Sequence, residues 1–106
     1  MEFIFPMLSG ADLFMIPAAY VKKLNGDTAI ALAGLQYLED TDSEMTSCYY
    51  GSFMELVQMD EDRCIAAIHD LLRKGLITGK DGDDPSEFFY HVLTDRINEY
   101  FKDWKQ

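Results

Sequence analysis

Two runs of carboxylates and two histidines are the groups in this chain whose types could do chemistry. The runs are Asp60-Glu61-Asp62 and Asp81-Gly82-Asp83-Asp84, and the imidazoles are His69 and His91. Carboxylates around a glycine turn supply the hard oxygen ligands that calcium takes. The spaced D-x-[DN]-x-[DN]-G loop with its closing glutamate is absent, however, so the 81–84 run reads as a solvated hairpin tip. His69 stands beside Asp70 on the outer side of its helix and His91 lies in a strand. Neither has a Cys, His or carboxylate at a metal-site spacing. Ser9-Gly10 and Ser52 lack the context of a nucleophile elbow, and no glycine-rich phosphate loop follows a strand. No enzyme, metal site or cofactor is expected. What the carboxylates offer is electrostatic recognition.

The bulk charge agrees. Nine Lys and Arg stand against 19 Asp and Glu in 106 residues, a formal charge of −10, while 48% of the residues are apolar. That apolar share can fill a core, so the acidity does not mean disorder. A chain of this length is expected to be one domain, residues 1–106. The charge opposes phosphate binding, which draws its affinity from Lys and Arg, and it equally opposes an anionic membrane surface. Cys48 and Cys64 read as buried free thiols of a reducing compartment. The opening MEFIFPMLSG has no basic residue ahead of its apolar run, unlike a secretory signal, and no stretch is long enough for a membrane helix. A soluble, cytoplasmic protein is expected.

The elements that position these groups follow from local pattern. Residues 1–16 read as an apolar arm, with Phe3-Ile4-Phe5 and Leu13-Phe14-Met15-Ile16 separated by Ser9-Gly10. Pro17 opens a short helix to Leu24, which Asn25-Gly26 ends. Asp27 or Thr28 caps the next helix, to residue 39, whose small and apolar residues on nearly every side mark a central helix. A polar loop runs to Ser47, and Tyr49-Tyr50 reads as a short strand. Ser52 with Glu55 forms a capping box for a short helix carrying Phe53, Leu56 and Val57. Asp60 caps a longer helix, 60–74, with Ile65, Ile68, Leu71 and Leu72 on one stripe and Gly75 at its end. Residues 76–93 read as a β-hairpin with a polar loop at 79–86, and Thr94 caps a last helix, 94–104.

This order, mainly α with a small hairpin (an α+β class), is that of a winged helix-turn-helix with an additional C-terminal helix. The helix 60–74 takes the recognition position and the 79–86 loop is the wing. The run Ile68-His69-Asp70-Leu71-Leu72-Arg73-Lys74-Gly75-Leu76-Ile77 resembles the end of recognition helices in many winged-helix proteins. Phe14-Met15-Ile16-Pro17, Tyr20-Val21, the Leu-rich helix and Tyr50-Gly51-Ser52-Phe53-Met54-Glu55-Leu56 together resemble the N-terminal domain of DnaD-type and phage replication-initiation proteins, over roughly residues 14–93. That resemblance implies a domain of larger replication-loading proteins that often oligomerises. This chain departs from the pattern in its acidity and in the single helix after the wing.

A recognition helix turns its N-terminal residues to base edges, and here those residues are acidic. Asp60, Glu61 and Asp62 can cap the helix and complement its dipole, and the same carboxylates can bind a basic partner; the two roles are compatible. Asp81, Asp83 and Asp84 extend the acidic surface over the wing. Expected, then, is a non-enzymatic interaction module acting through protein contacts in a replication- or DNA-associated assembly, with direct DNA binding weak or absent. Two alternatives stand beside it. One is a winged-helix transcriptional regulator using Arg63, Arg73 and Lys74, with Lys22-Lys23 converging on the last two. The other is an acidic phage-type inhibitor that imitates DNA, as some anti-CRISPR proteins do. On the last helix, Tyr100, Phe101 and Trp104 either close over the core or form a homodimer interface.

Overall fold

Strong β-formers open the chain, and they pair with one another. The computed structural model of the protein describes residues 3–9 and 12–102, with side chains from Ile16 onward. Strands β1 (Phe3–Ser9) and β2 (Asp12–Pro17) form an antiparallel ribbon in the register Pro6↔Met15 and Met7↔Phe14. Within the expected arm, residues 3–9 and 12–16 are therefore paired strands. Pro6 has no N–H to give, and both strands of a two-stranded ribbon are edges, where proline is tolerated.

Pro17 leads into α1 (Ala18–Lys23), which ends at an extended Leu24 and not at a left-handed Gly26. Asn25 is the reason. Its side chain accepts the Thr28 N–H at 2.8 Å and caps α2 (Gly26–Leu38) ahead of Asp27 and Thr28, the expected caps. Helix α2 is central, as its composition demands: Thr28, Ala29, Ala31, Leu32, Ala33, Gly34 and Leu35 are all buried.

Strand β3 (Thr46–Tyr49) passes directly into α3 (Tyr50–Val57). That helix starts ahead of Ser52, so the expected capping box is not used. The Tyr50 N–H is instead satisfied by the Ser86 carbonyl at 2.9 Å, just before the start of the neighbouring strand. Gln58, left-handed at φ 57°, turns the chain toward α4 (Glu61–Arg73), and its side-chain amide donates to the Glu55 carbonyl. Asp60 caps α4 as its position predicts, accepting the Arg63 N–H at 2.9 Å. Gly75, at φ +73°, stops it.

Strands β4 (Ile77–Asp81) and β5 (Glu87–Val92) complete a three-stranded antiparallel sheet of order β3-β5-β4. Gly79, Lys80 and Asp81, expected in a loop, belong to β4, because Tyr90, Phe89 and Phe88 pair with them. The connecting loop is thus only 82–86. Phe88, Tyr90 and Val92 face the core, and the buried Tyr90 hydroxyl donates to the Leu35 carbonyl of α2.

Helix α5 (Thr94–Tyr100) is shorter than expected, and Thr94 is its first residue, the cap position falling to Leu93. The core unites α1, α2, α3, α4 and the inner face of the sheet. Among the described residues no helix is long and apolar enough to cross a membrane.

The contact between α2 and α3 is set by Gly34. A Cβ there would stand 2.8 Å from Val57 Cγ1 and 3.3 Å from Phe53 Cε1. Val57 is β-branched and fully packed, so it yields poorly. Gly34→Ala gains about 1 kcal/mol of helix propensity but incurs an overpacking cost of about 1–3 kcal/mol. We expect a net loss near 1 kcal/mol in urea unfolding. Val57→Ala in the same chain should cost less than the two single changes summed; simple additivity would remove the steric explanation.

Candidate functional site

The acidic residues singled out in the sequence fall on two elements that adjoin one another. Asp60, Glu61 and Asp62 form the exposed start of α4, and Asp81, Asp83 and Asp84 are exposed at the end of β4 and in the loop after it. Near them is Tyr50, half-buried, its ring 4.7 Å from that of Phe88. Burial first, then the charges of Asp81, Cys48 and Glu61, push the Tyr50 phenol up. The first turn of α4 and the β4 end thus bring negative charge to one aromatic ring.

Each cluster also serves local structure. Asp60 caps α4. Asp84 accepts the Ser86 N–H at 2.9 Å and its hydroxyl at 2.8 Å, which holds its carboxyl below the usual carboxylate range. Glu61, Asp62, Asp81 and Asp83 make no ion pair among the described residues.

The cations go elsewhere. Arg63 makes a two-pronged pair with Asp27 of α2, Nε to Oδ2 at 3.0 Å and Nη2 to Oδ1 at 2.7 Å. Arg73 and Lys74 both bind the carboxylate of Asp70. The three candidate nucleic-acid contacts are therefore each engaged by an acidic side chain. Lys23 reaches α5, donating to the Tyr100 carbonyl and lying 4.8 Å over the Tyr100 ring. Lys23 is thus directed to α5 while Arg73 and Lys74 are directed to Asp70.

Asp70 is the residue that the sequence reading missed. Placed there beside His69 as a surface neighbour, it is 7% exposed and accepts a hydrogen bond from Thr28 Oγ1 at 2.9 Å, linking α4 to α2. The Lys74 hydrogen bond is the largest influence and, with Thr28 and the nearby Arg73, outweighs burial to hold the Asp70 carboxyl below its ordinary value. The signal was present: Asp70 has Arg73 and Lys74 at i+3 and i+4, the spacing at which helical side chains meet.

Of the aromatic residues on the last helix, Phe101 is 8% exposed and stacks on Tyr20 of α1 with centroids 4.9 Å apart. Tyr100 is half-buried at Phe101 and Lys23. Both rings face their own domain, which leaves Phe101 no surface to anchor a second copy. Trp104 lies outside the described residues. Cys48 and Cys64 are free and buried, and burial, aided by Cys64, pushes the Cys48 thiol up to about 11. His91 approaches Glu39 with Nδ1 3.7 Å from Oε2. Among the described residues no three His, Cys, Asp or Glu side chains gather as metal ligands.

A groove of about 230 Å³ lies between α4 and β4, its apolar lining Tyr50, Ile68, Leu72 and Phe88 and its charged lining Lys80 and Asp81. Its apolar lining and the Asp81 carboxylate can hold a group that is both apolar and cationic.

No protein family, curated protein or solved structure matches the chain.

Asp70→Asn keeps the shape and removes the charge. Because the folded carboxyl titrates below its unfolded value of 3.8, its stabilisation is complete above that value and is lost as pH falls through the folded one. We expect wild type to exceed the variant by about 2 kcal/mol at neutral pH. The gap should stay constant down to about pH 5 and close below about pH 4. A gap independent of pH would remove the charge from the explanation.

Proposed function

We propose that the chain is a winged-helix interaction module whose α4 and β4–β5 hairpin bind a basic protein partner in place of DNA. The element order α2-β3-α3-α4-β4-β5, with β3 beside β5 in the sheet, supports the winged-helix reading. Helix α4 then holds the recognition position and β4–β5 is the wing. Duplex binding at those positions depends on Lys and Arg, because neutralising phosphate releases counterions. The single observation that carries the proposal is the charge there. Glu61, Asp62, Asp81 and Asp83 are exposed and have no ion-pair partner among the described residues, while Arg63, Arg73 and Lys74 are already paired. The partner belongs to a DNA-handling assembly, replication being the process that the sequence resemblance suggests.

A second reading follows from the same carboxylates. An acidic surface at the DNA-facing positions can occupy the nucleic-acid site of a DNA-handling protein and so inhibit it. The two readings share the face and differ in whether DNA competes for the partner.

Fluorescence anisotropy tests the shared premise. At micromolar protein and physiological salt we expect no binding to a labelled duplex and clear binding to a labelled polyarginine peptide. The variant Glu61→Gln, Asp62→Asn, Asp81→Asn, Asp83→Asn keeps the caps at Asp60 and Asp84, and should bind the peptide about tenfold more weakly. Salt-sensitive duplex binding by wild type, or an unchanged peptide affinity in the variant, would overturn the proposal.

A further inference from the structure

We infer that the groove between α4 and β4 receives a single arginine side chain of the partner, its stem on the apolar floor and its guanidinium against Asp81 and Tyr50. The inference rests on the reading of this face as a protein-binding surface and specifies which chemical group the face selects.

Three features of the groove support it. The floor suits a long aliphatic stem: Leu72 faces outward from α4 at 37% exposure beside the half-buried Tyr50, and the buried Ile68 and Phe88 lie beneath. At about 230 Å³ the space is of the size of one extended side chain. The second feature is Gly79. A Cβ at that position would meet Leu72 Cδ2 at 3.5 Å and the Phe89 carbonyl at 3.4 Å, so any longer side chain would enter the groove. The backbone at Gly79 is ordinary strand, without the positive φ that would call for glycine on conformational grounds. The absent side chain keeps the groove open.

Charge is the third. Asp81 lines the groove and, among the described residues, no Lys or Arg forms an ion pair with it; the charge of Glu61, equally unpaired, also reaches Tyr50. Lys80 is the cation in the wall, but its ammonium lies 5.6 Å from the centre of the Phe89 ring. Phe89 points to the opposite face of β5 from Phe88, so that charge is directed away. His69 stands at the rim.

The Asp81 carboxylate disfavours a phosphate at this position. It suits a cation, and the aromatic floor selects which one. A guanidinium is planar, weakly hydrated and able to bond a carboxylate through two N–H groups while stacking on a ring. A lysine ammonium is a compact, strongly hydrated charge that gains less from the Tyr50 face.

The test is a two-dimensional NMR titration of the full chain with acetyl-Gly-Arg-Gly-amide and, separately, acetyl-Gly-Lys-Gly-amide. We expect saturable shifts confined to Tyr50, Ile68, Leu72, Gly79 and Asp81 with the arginine peptide, and at least about fivefold weaker binding of the lysine peptide. Gly79→Val fills the groove and leaves every charge in place. Asp81→Asn leaves the shape and removes the charge. Each should weaken the arginine peptide about fivefold or more, and Asp81→Asn supplies the answer if Gly79→Val does not fold. Shifts spread evenly over the acidic surface, equal response to both peptides, or undiminished binding in either folded variant would overturn the inference. Polyarginine binding that persists in wild type under those outcomes leaves the acidic-face reading standing; its loss removes both.

Discussion

A buried carboxylate between two helices fixes how the rest of this domain is presented. Asp70 lies in the contact of α4 with α2, where an unpaired anion would cost several kcal/mol of desolvation. It is tolerated because Thr28 of α2 and Lys74 and Arg73 of its own helix donate to it. With Asp70 held, α4 cannot rotate on its axis without breaking a buried hydrogen bond. At the other end of α4, Arg63 grips Asp27, again on α2. Two attachments, one at each end, orient the helix so that Glu61, Asp62, His69 and Leu72 look outward.

The same attachments decide the electrostatics. Nine basic residues in a chain of net charge −10 could still build a local positive patch if they were free and adjacent. Arg63 is used to tie α4 to Asp27 of α2, Arg73 and Lys74 are taken up by Asp70, and Lys80 lies near the Phe89 ring. The outward face is left to the carboxylates. Mutual repulsion among them is a cost that the core must offset, and the core that does so is continuous from α1 through the inner face of the sheet.

Much of the fold was legible in the sequence where one element carries its own instructions. Asp60 caps α4 because a carboxylate three residues before an N–H reaches it, and of the apolar stripe expected on α4, Ile68 and Leu71 are buried while Leu72 is exposed. Gly75 ends α4 because only glycine takes φ +73° without strain. The readings that failed are those in which a distant partner outbid a local one. Ser52 and Glu55 make a sound capping box, yet the Ser86 carbonyl captures the Tyr50 N–H and starts α3 earlier. Asp81 sits in a turn-like run, yet Phe88 draws it into a strand. The aromatic residues of the last helix are equally ambiguous by themselves; Phe101 is settled by Tyr20, far away in the chain.

The sequence alone determined the helices, their inner faces, the hairpin at 76–93 and an acidity at odds with phosphate binding, because periodicity, caps and charge act within a few residues. Only the tertiary structure decided that Glu61 and Asp81 both act on one tyrosine, that an open groove lies between α4 and β4, and that Arg63 and Asp70 are engaged by α2. Those facts depend on groups tens of residues apart, Asp27 with Arg63 and Thr28 with Asp70, whose meeting is fixed by how α2 and α4 pack and by nothing local to either.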